Sequence, residues 1–138
     1  MEELGSRLAE VSDAPGYPYE FNVVNSSTPN AYALPGGFIS VTRGLLLEMT
    51  SEDQLAAVLG HEIVHVTARH AAQQRTRSTV SQLLLSAGNI YLQAENVSHA
   101  GLYQDLGSIG ARAILSSYSR AQEKLSDRVG MRYMAKAG

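Results

Sequence analysis

The sequence contains no cysteine. This absence excludes a disulfide framework and any metal site built on thiolates, so a bound metal would have to be held by histidine and carboxylate side chains. The chain also has no excess of positive charge: 11 Lys and Arg stand against 13 Asp and Glu, giving a formal net charge of -2. Because nucleic-acid binding needs a clustered basic face, we predict no nucleic-acid partner.

Long apolar runs are absent as well. No stretch approaches the roughly 20 apolar residues that cross a bilayer, and Met1 begins a polar segment. We therefore expect neither a transmembrane segment nor a signal peptide in this chain. A chain already trimmed of its leader would look the same, which leaves an exported origin and membrane association open. The sequence gives no information on oligomeric state.

The length and composition are those of one globular domain. The 138 residues are 44% hydrophobic and 17% charged, and a chain of this size buries roughly 68% of its unfolded surface. We predict a single domain over residues 1–138. A short amphipathic helix is expected before Pro15, and β-type runs at 19–24, 30–34 and 38–42 predict a small sheet of two or three strands.

A long helix is predicted to follow the sheet. Ser51, with Gln54 three residues later, has the pattern of a capping box, and apolar residues then recur at helical spacing. No proline occurs after Pro35, so the pattern predicts that this helix continues past His70.

The remaining two segments of the chain differ in how clearly their sequence predicts a structure. Residues 72–117 suggest a helix, with breaks expected at four glycines: Gly88, Gly101, Gly107 and Gly110. From Tyr118 to Ala137, helical periodicity predicts a final helix whose apolar positions are Leu125, Val129 and Tyr133.

His61-Glu62-Ile63-Val64-His65 has the H-E-x-x-H pattern. Four residues span about 400° around a helix, so both imidazoles leave one face and can reach the same ion. Zinc lowers the pKa of a bound water toward about 7, and Glu62 lies close enough to accept its proton as a general base. The alternative is a pair of buried helix histidines beside a solvated glutamate.

A catalytic zinc needs a third protein ligand, and spacing alone leaves this choice open. On a continuous helix His70 would lie about 140° round from His65, which predicts an exposed or capping role. His99 has no supporting pattern. Glu123 and Asp127 are four residues apart on the final helix, so one could bind zinc while the other orients an imidazole; a solvated charged face explains them equally well.

Three separated motifs resemble the gluzincin metallopeptidases of peptidase family M48, which include the HtpX-like, BepA-like and CAAX prenyl endopeptidases. Their segments here are Asn30-Ala31-Tyr32-Ala33-Leu34-Pro35-Gly36-Gly37, then Leu59-Gly60-His61-Glu62-Ile63-Val64-His65-Val66, and Tyr118-Ser119-Arg120-Ala121-Gln122-Glu123 with Asp127 and Gly130. The similarity spans residues 20–138, nearly the whole chain.

This resemblance implies roles that spacing does not fix. It assigns Glu123 as the third zinc ligand, with one zinc ion per chain, and Asp127 as the partner of a zinc-binding histidine. It also implies that Asn30 and Ala31 lie on an edge strand that pairs with an extended polypeptide substrate. Family members continue beyond the position of Gly138, so the resemblance implies a chain truncated at its C-terminus and leaves open whether it keeps every residue that catalysis needs.

The sequence thus predicts a predominantly helical α+β fold, a zincin-like domain with a small sheet packed on the zinc-binding helix. We expect a zinc-dependent metalloendopeptidase with Glu62 as base, and the resemblance implies protein quality control in a bacterial periplasm or at a membrane. The alternative function is a zinc-containing module that holds client proteins without cutting them.

Overall fold

The computed structural model describes the backbone of residues 1–94 and 118–138 and the side chains of residues 1–84 and 118–138. The chain divides into two compact units. Residues 1–70 and 119–138 form the first, and residues 71–118 form the second, of which only the helical part is described here. The expectation of a single domain over residues 1–138 stays a prediction.

Five helices and three strands make up the described chain. In order they are α1 (Glu2–Glu10), β1 (Glu20–Val24), β2 (Ala31–Leu34), β3 (Phe38–Thr42), α2 (Arg43–Glu48), α3 (Glu52–Thr67), α4 (His70–Ala94) and α5 (Arg120–Ala137). The predicted α+β architecture, predominantly helical with a small sheet, is confirmed.

The sheet has the strand order β1-β3-β2. β1 runs parallel to the central strand β3, whereas β2 runs antiparallel to it. A tight turn joins β2 to β3, in which the Gly37 N–H donates to the Leu34 carbonyl and both Gly36 and Gly37 have positive φ. β2 is therefore an edge strand, as the resemblance implied.

Side-chain caps start the helices that carry the predicted site. Ser51 accepts a hydrogen bond from the Gln54 N–H at the start of α3, and Ser119 begins α5 with a complete capping box. At α3 the box is only half formed, because the Gln54 side chain accepts from Thr50 N–H instead. Each cap satisfies an N–H that the first helical turn leaves without an intrahelical partner.

α3 is the central element of the first unit. It packs most extensively against α5, and also against α1, β2 and β3. Leu59 and Ile63 of α3 are fully buried, in one apolar cluster with Leu8 of α1, Ile39 of β3 and Tyr133 of α5. Since α3 is enclosed on most sides, side chains on it are held in fixed positions.

α3 ends earlier than its sequence predicts. The helix stops at Thr67, and Arg69 adopts a left-handed conformation with φ of 53° before α4 begins at His70. No glycine or proline marks this break in the sequence. The predicted continuation past His70 is therefore wrong.

Two further details of the helices differ from expectation. Gly88 lies inside α4 and does not break it; Gly101, Gly107, Gly110 and His99 lie outside the described residues. On α5 the buried positions are Ser126, Gly130 and Tyr133, whereas Leu125 is exposed. Two of these three buried residues are small, and one of them, Gly130, lies against the backbone of Gly60 on α3.

Within residues 1–94 and 118–138, none of the helices combines the length and apolar content that a bilayer crossing requires.

Candidate metal centre

The two histidines of the H-E-x-x-H pattern lie one turn apart on the same face of α3. Their Nε2 atoms are 2.9 Å apart, and their ring centroids are separated by 4.8 Å. His65 is buried and His61 is partly exposed. The two rings thus converge, as their spacing on a helix predicted.

Glu123 reaches the same point from α5. Its Oε2 lies 3.3 Å from the Nε2 of His61, and its Oε1 lies 3.8 Å from the Nε2 of His65. One ligand atom from each of these three side chains falls within 4.8 Å of the others. Two histidine nitrogens and a carboxylate oxygen are a donor set that suits zinc.

Asp127 occupies the opposite side of the His61 ring. Its Oδ1 lies 2.9 Å from the Nδ1 of His61. A carboxylate is an acceptor only, so this contact is a hydrogen bond when His61 carries its hydrogen on Nδ1, and the Nε2 on the other side of the ring faces His65 and Glu123. The structure therefore gives the two carboxylates of α5 different neighbours: Glu123 lies by the Nε2 atoms and Asp127 by the Nδ1.

Glu62 is buried beside this cluster. Burial raises the pKa of its carboxyl to about 7; the neighbouring Glu123 also raises it, whereas His61 and a backbone hydrogen bond from Ala33 lower it. A carboxyl with a pKa close to neutrality can both accept and release a proton under ordinary conditions.

His70 is in a different place from the one its sequence position predicts. It is 2% exposed, and its Nδ1 lies 2.9 Å from the Nδ1 of His65. The expectation of an exposed or capping histidine is wrong, because it assumed a continuous helix and α3 ends at Thr67. Burial, together with the neighbouring His61, lowers the pKa of His70, and burial lowers that of His65 to about 3.

A cleft of about 570 Å³ opens at the site. Three ionisable side chains line it: His61, Glu62 and Asp127. Apolar side chains line the rest, among them Ala31, Leu45, Val58 and Met131. The edge strand β2 therefore borders the same space as the histidines and the buried glutamate.

Asn30 lies at the start of this edge. Its side chain is exposed, its N–H donates to the Thr42 hydroxyl, and its carbonyl accepts from the Thr42 N–H. Along an antiparallel strand, the backbone N–H and C=O groups of successive residues point alternately toward and away from the partner strand. Because those of Asn30 point toward β3, those of Ala31 and Ala33 point away from it. The hydrogen bond from Ala33 to Glu62 agrees with this orientation.

Two residues of the site, His70 and Ala33, were not predicted from the sequence. The position of His70 depends on the helix break at Arg69, and that of Ala33 depends on the register in which the edge strand pairs with β3. Sequence spacing on regular helices does not contain either signal.

Comparison with known proteins agrees with the motifs. The model of Peptidase family M48 matches residues 1–138. A beta-barrel assembly-enhancing protease of Escherichia coli K12 is 30% identical over 142 residues, covering 100% of this chain and 29% of that protein. The mitochondrial metalloendopeptidase OMA1 of Schizosaccharomyces pombe is 35% identical over 133 residues, covering 95% of this chain and 37% of that protein.

A third relative is the metalloprotease YcaL of Escherichia coli K12, which is 29% identical over 141 residues, with 99% of this chain and 54% of that protein covered. The chain thus spans between about three tenths and half of the length of these relatives. From the family match over its whole length and from its zincin-like fold, the chain belongs to peptidase family M48.

Proposed function

We propose that this chain is the catalytic part of a zinc-dependent metalloendopeptidase, in which His61, His65 and Glu123 bind one zinc ion and Glu62 is the general base. The observation that carries the proposal is the convergence of three metal-ligating atoms within 4.8 Å, next to a buried glutamate in an open cleft. Membership of a metallopeptidase family supports it.

The donor set fits zinc on chemical grounds. Asp127 fixes the hydrogen of His61 on Nδ1, so its Nε2 offers a lone pair in the direction of the other donors. The Nε2 atoms of His61 and His65 lie close to each other and to the carboxyl group of Glu123. Without a positive ion between them, lone pairs facing one another at these distances would repel. When bound, zinc acts as a Lewis acid that polarises the substrate carbonyl and makes water a stronger nucleophile at neutral pH.

Glu62 supplies the proton transfers. Its carboxylate accepts the proton of the attacking water and then returns it to the amine that leaves as the peptide bond breaks. Burial raises its pKa to about 7, which suits a group that must both take up and release a proton. The N–H of Ala33 keeps the carboxylate oriented toward the edge of the sheet.

The edge strand supplies the contact with the substrate backbone. Ala31 borders the cleft, and its N–H and carbonyl point away from β3. An extended polypeptide can add to such an edge by backbone hydrogen bonding, with Asn30 at one end of the contact. This mode of binding reads the backbone more than the side chains, and so favours unfolded or extended polypeptides.

This preference supports a role in protein quality control, with misfolded or unassembled proteins as substrates. Relatives of the chain are named for β-barrel assembly and for mitochondria. On that basis we propose that the full protein works in the bacterial periplasm or at a membrane.

The competing function is a module that holds client proteins at the cleft without cutting them. Such a module would use the edge strand and the metal, but it would have no need of a buried carboxyl beside the histidines. Glu62 therefore favours the peptidase.

The two functions are separated by one substitution. The zinc-loaded chain should cleave unfolded casein, and Glu62→Gln should abolish cleavage while keeping one zinc per chain and the melting temperature. Glu52→Gln, an exposed change on the same helix, is the matched control and should cleave normally. Binding of casein without cleavage by the unaltered chain would favour the holding module, and cleavage by Glu62→Gln would exclude Glu62 as the base.

A further inference from the structure

His70 is a buried histidine that the reaction described above does not use. Its Nδ1 lies 2.9 Å from the Nδ1 of His65, and the two rings meet nearly edge to face, at 71° with centroids 4.9 Å apart. The Nε2 of His65 lies on the other side of its ring, next to His61 and Glu123. His70 therefore approaches the nitrogen of His65 that does not face the three donor atoms.

The backbone brings His70 to this position. α3 stops at Thr67, Arg69 adopts a left-handed conformation with φ of 53°, and His70 is the first residue of α4. On an uninterrupted helix, a residue five positions after His65 would lie about 140° away around the axis. The left-handed residue thus converts a side chain that would point elsewhere into a neighbour of His65.

Two facing Nδ1 atoms can form a hydrogen bond only if one carries a hydrogen and the other a lone pair. Both rings are buried, and a neutral imidazole has one N–H and one lone pair. A hydrogen on the Nδ1 of His65 leaves its Nε2 free to bind a cation, whereas a hydrogen on its Nε2 would block that atom. A lone pair on the Nδ1 of His70 would select the first arrangement.

We propose that His70 is a positioning residue for the metal centre: it accepts the hydrogen bond from the Nδ1–H of His65 and so fixes the tautomer and ring orientation of this ligand. This inference rests on the proposed function, since it presumes that His65 binds zinc. Each helical histidine then has its own partner, Asp127 for His61 and His70 for His65. One partner is an exposed carboxyl group, and the other is a buried imidazole.

The test measures zinc affinity of the full chain by competition with a chromophoric chelator. His70→Phe keeps an aromatic ring and removes the acceptor, and loss of such a partner lowers metal affinity about 10- to 100-fold. In His70→Asn the side-chain oxygen can take the place of Nδ1, so affinity should recover to within a few-fold of the unaltered chain. A purely packing role predicts the reverse order, because phenylalanine fills the space better than asparagine.

Val64→Ala is the matched control. Val64 is buried next to His65 on α3, and its truncation should lower the melting temperature without changing zinc affinity. If His70→Phe and Val64→Ala at equal melting temperature bind zinc equally well, His70 does not position the ligand and the inference is overturned.

A measurement on the unaltered chain covers the case in which His70→Phe fails to fold. In the zinc-loaded protein labelled with ¹⁵N-histidine, we expect the proton of His65 on Nδ1, coupled across the hydrogen bond to a nitrogen of His70. A proton absent from the Nδ1 of His65 would overturn the inference. Failure of the unaltered chain to bind zinc would overturn the proposed function together with it, whereas zinc binding with no such hydrogen bond overturns the inference alone.

Discussion

Gly60 and Gly130 face each other where α3 crosses α5. A Cβ built on Gly130 would lie 2.9 Å from the backbone of Gly60 and of His61, and one built on Gly60 would lie 3.0 Å from the carbonyl oxygen of Gly130. The two helix backbones therefore touch directly. This close approach sets the separation of the two helices, and so the distance between Glu123, two turns earlier on α5, and the histidines of α3.

Gly130→Ala should separate the two helices. An extra methyl group in such a contact destabilises a protein by about 1–3 kcal/mol, and we expect a lower free energy of unfolding together with weaker zinc binding. Chemical denaturation and chelator competition measure the two effects. Gly16→Ala, where an added Cβ meets nothing within 4 Å, should change neither. Normal zinc affinity in Gly130→Ala would show that this contact does not set the position of Glu123.

Ser126→Ala should stabilise the protein. The Ser126 side chain is fully buried on α5, and among the described residues its hydroxyl has no hydrogen-bond partner. Removing a buried hydroxyl of this kind, and gaining the helix propensity of alanine, should add about 1 kcal/mol to the free energy of unfolding. Thermal denaturation checks this, and Ser6→Ala on the exposed face of α1 isolates the propensity effect. Equal gains in both variants would contradict a cost of burying the hydroxyl.

Asp127→Ala should weaken zinc binding without unfolding the chain. The side chain is 67% exposed, so little packing is lost, but His61 loses the acceptor that fixes its Nδ1–H. We expect a fall in zinc affinity of about 10- to 100-fold. Asp127→Asn should recover part of it, because the amide oxygen still accepts. The neighbouring exposed variant Arg128→Ala should bind zinc as the unaltered chain does, and an equal loss there would point to a general charge effect.

Removal of zinc should lower the melting temperature. A ligand at 100 times its Kd stabilises the folded state by about 2.7 kcal/mol, since it binds the folded chain and not the unfolded one. Dialysis against a chelator followed by thermal denaturation measures the loss, and added zinc should reverse it. In His65→Ala the melting temperature should not respond to zinc. A response in that variant equal to that of the unaltered chain would place the ion elsewhere.

Ala31→Pro should impair substrate binding. Proline has no N–H, and the N–H of Ala31 points away from β3, so the sheet loses no hydrogen bond while an added substrate strand would. Loss of one such bond should lower kcat/KM by about 3- to 10-fold. Ala31→Ser keeps the N–H and serves as the control. An unchanged kcat/KM in Ala31→Pro would argue against strand addition at this edge.

Much of this fold was predictable because its signals are local. Capping residues, helical spacing and turn glycines predicted the helix that carries His61 and His65, the final helix, and a small sheet of two or three strands. The proximity of Glu123 to these histidines came from a resemblance between motifs, since spacing alone could not distinguish it from Asp127.

The contact between His70 and His65 was not predictable in the same way. It depends on Arg69, a residue with no intrinsic preference for a left-handed conformation, so nothing local indicates the break. The buried face of α5 was also misread: Leu125 is apolar and exposed, whereas Ser126 is polar and buried. In both cases tertiary packing overrides what the residue type alone suggests.

The backbone angle at Arg69 has a consequence for which substitutions this surface tolerates. Arg69 is exposed, and a scan that judged positions by exposure would score it as neutral. Glycine and asparagine adopt positive φ readily and should be accepted there, whereas valine and isoleucine should be selected against as strongly as changes to buried groups of the metal centre. The residues tolerated at position 69 would then reflect the backbone angle that places His70, even though the side chain of Arg69 need not contact that histidine.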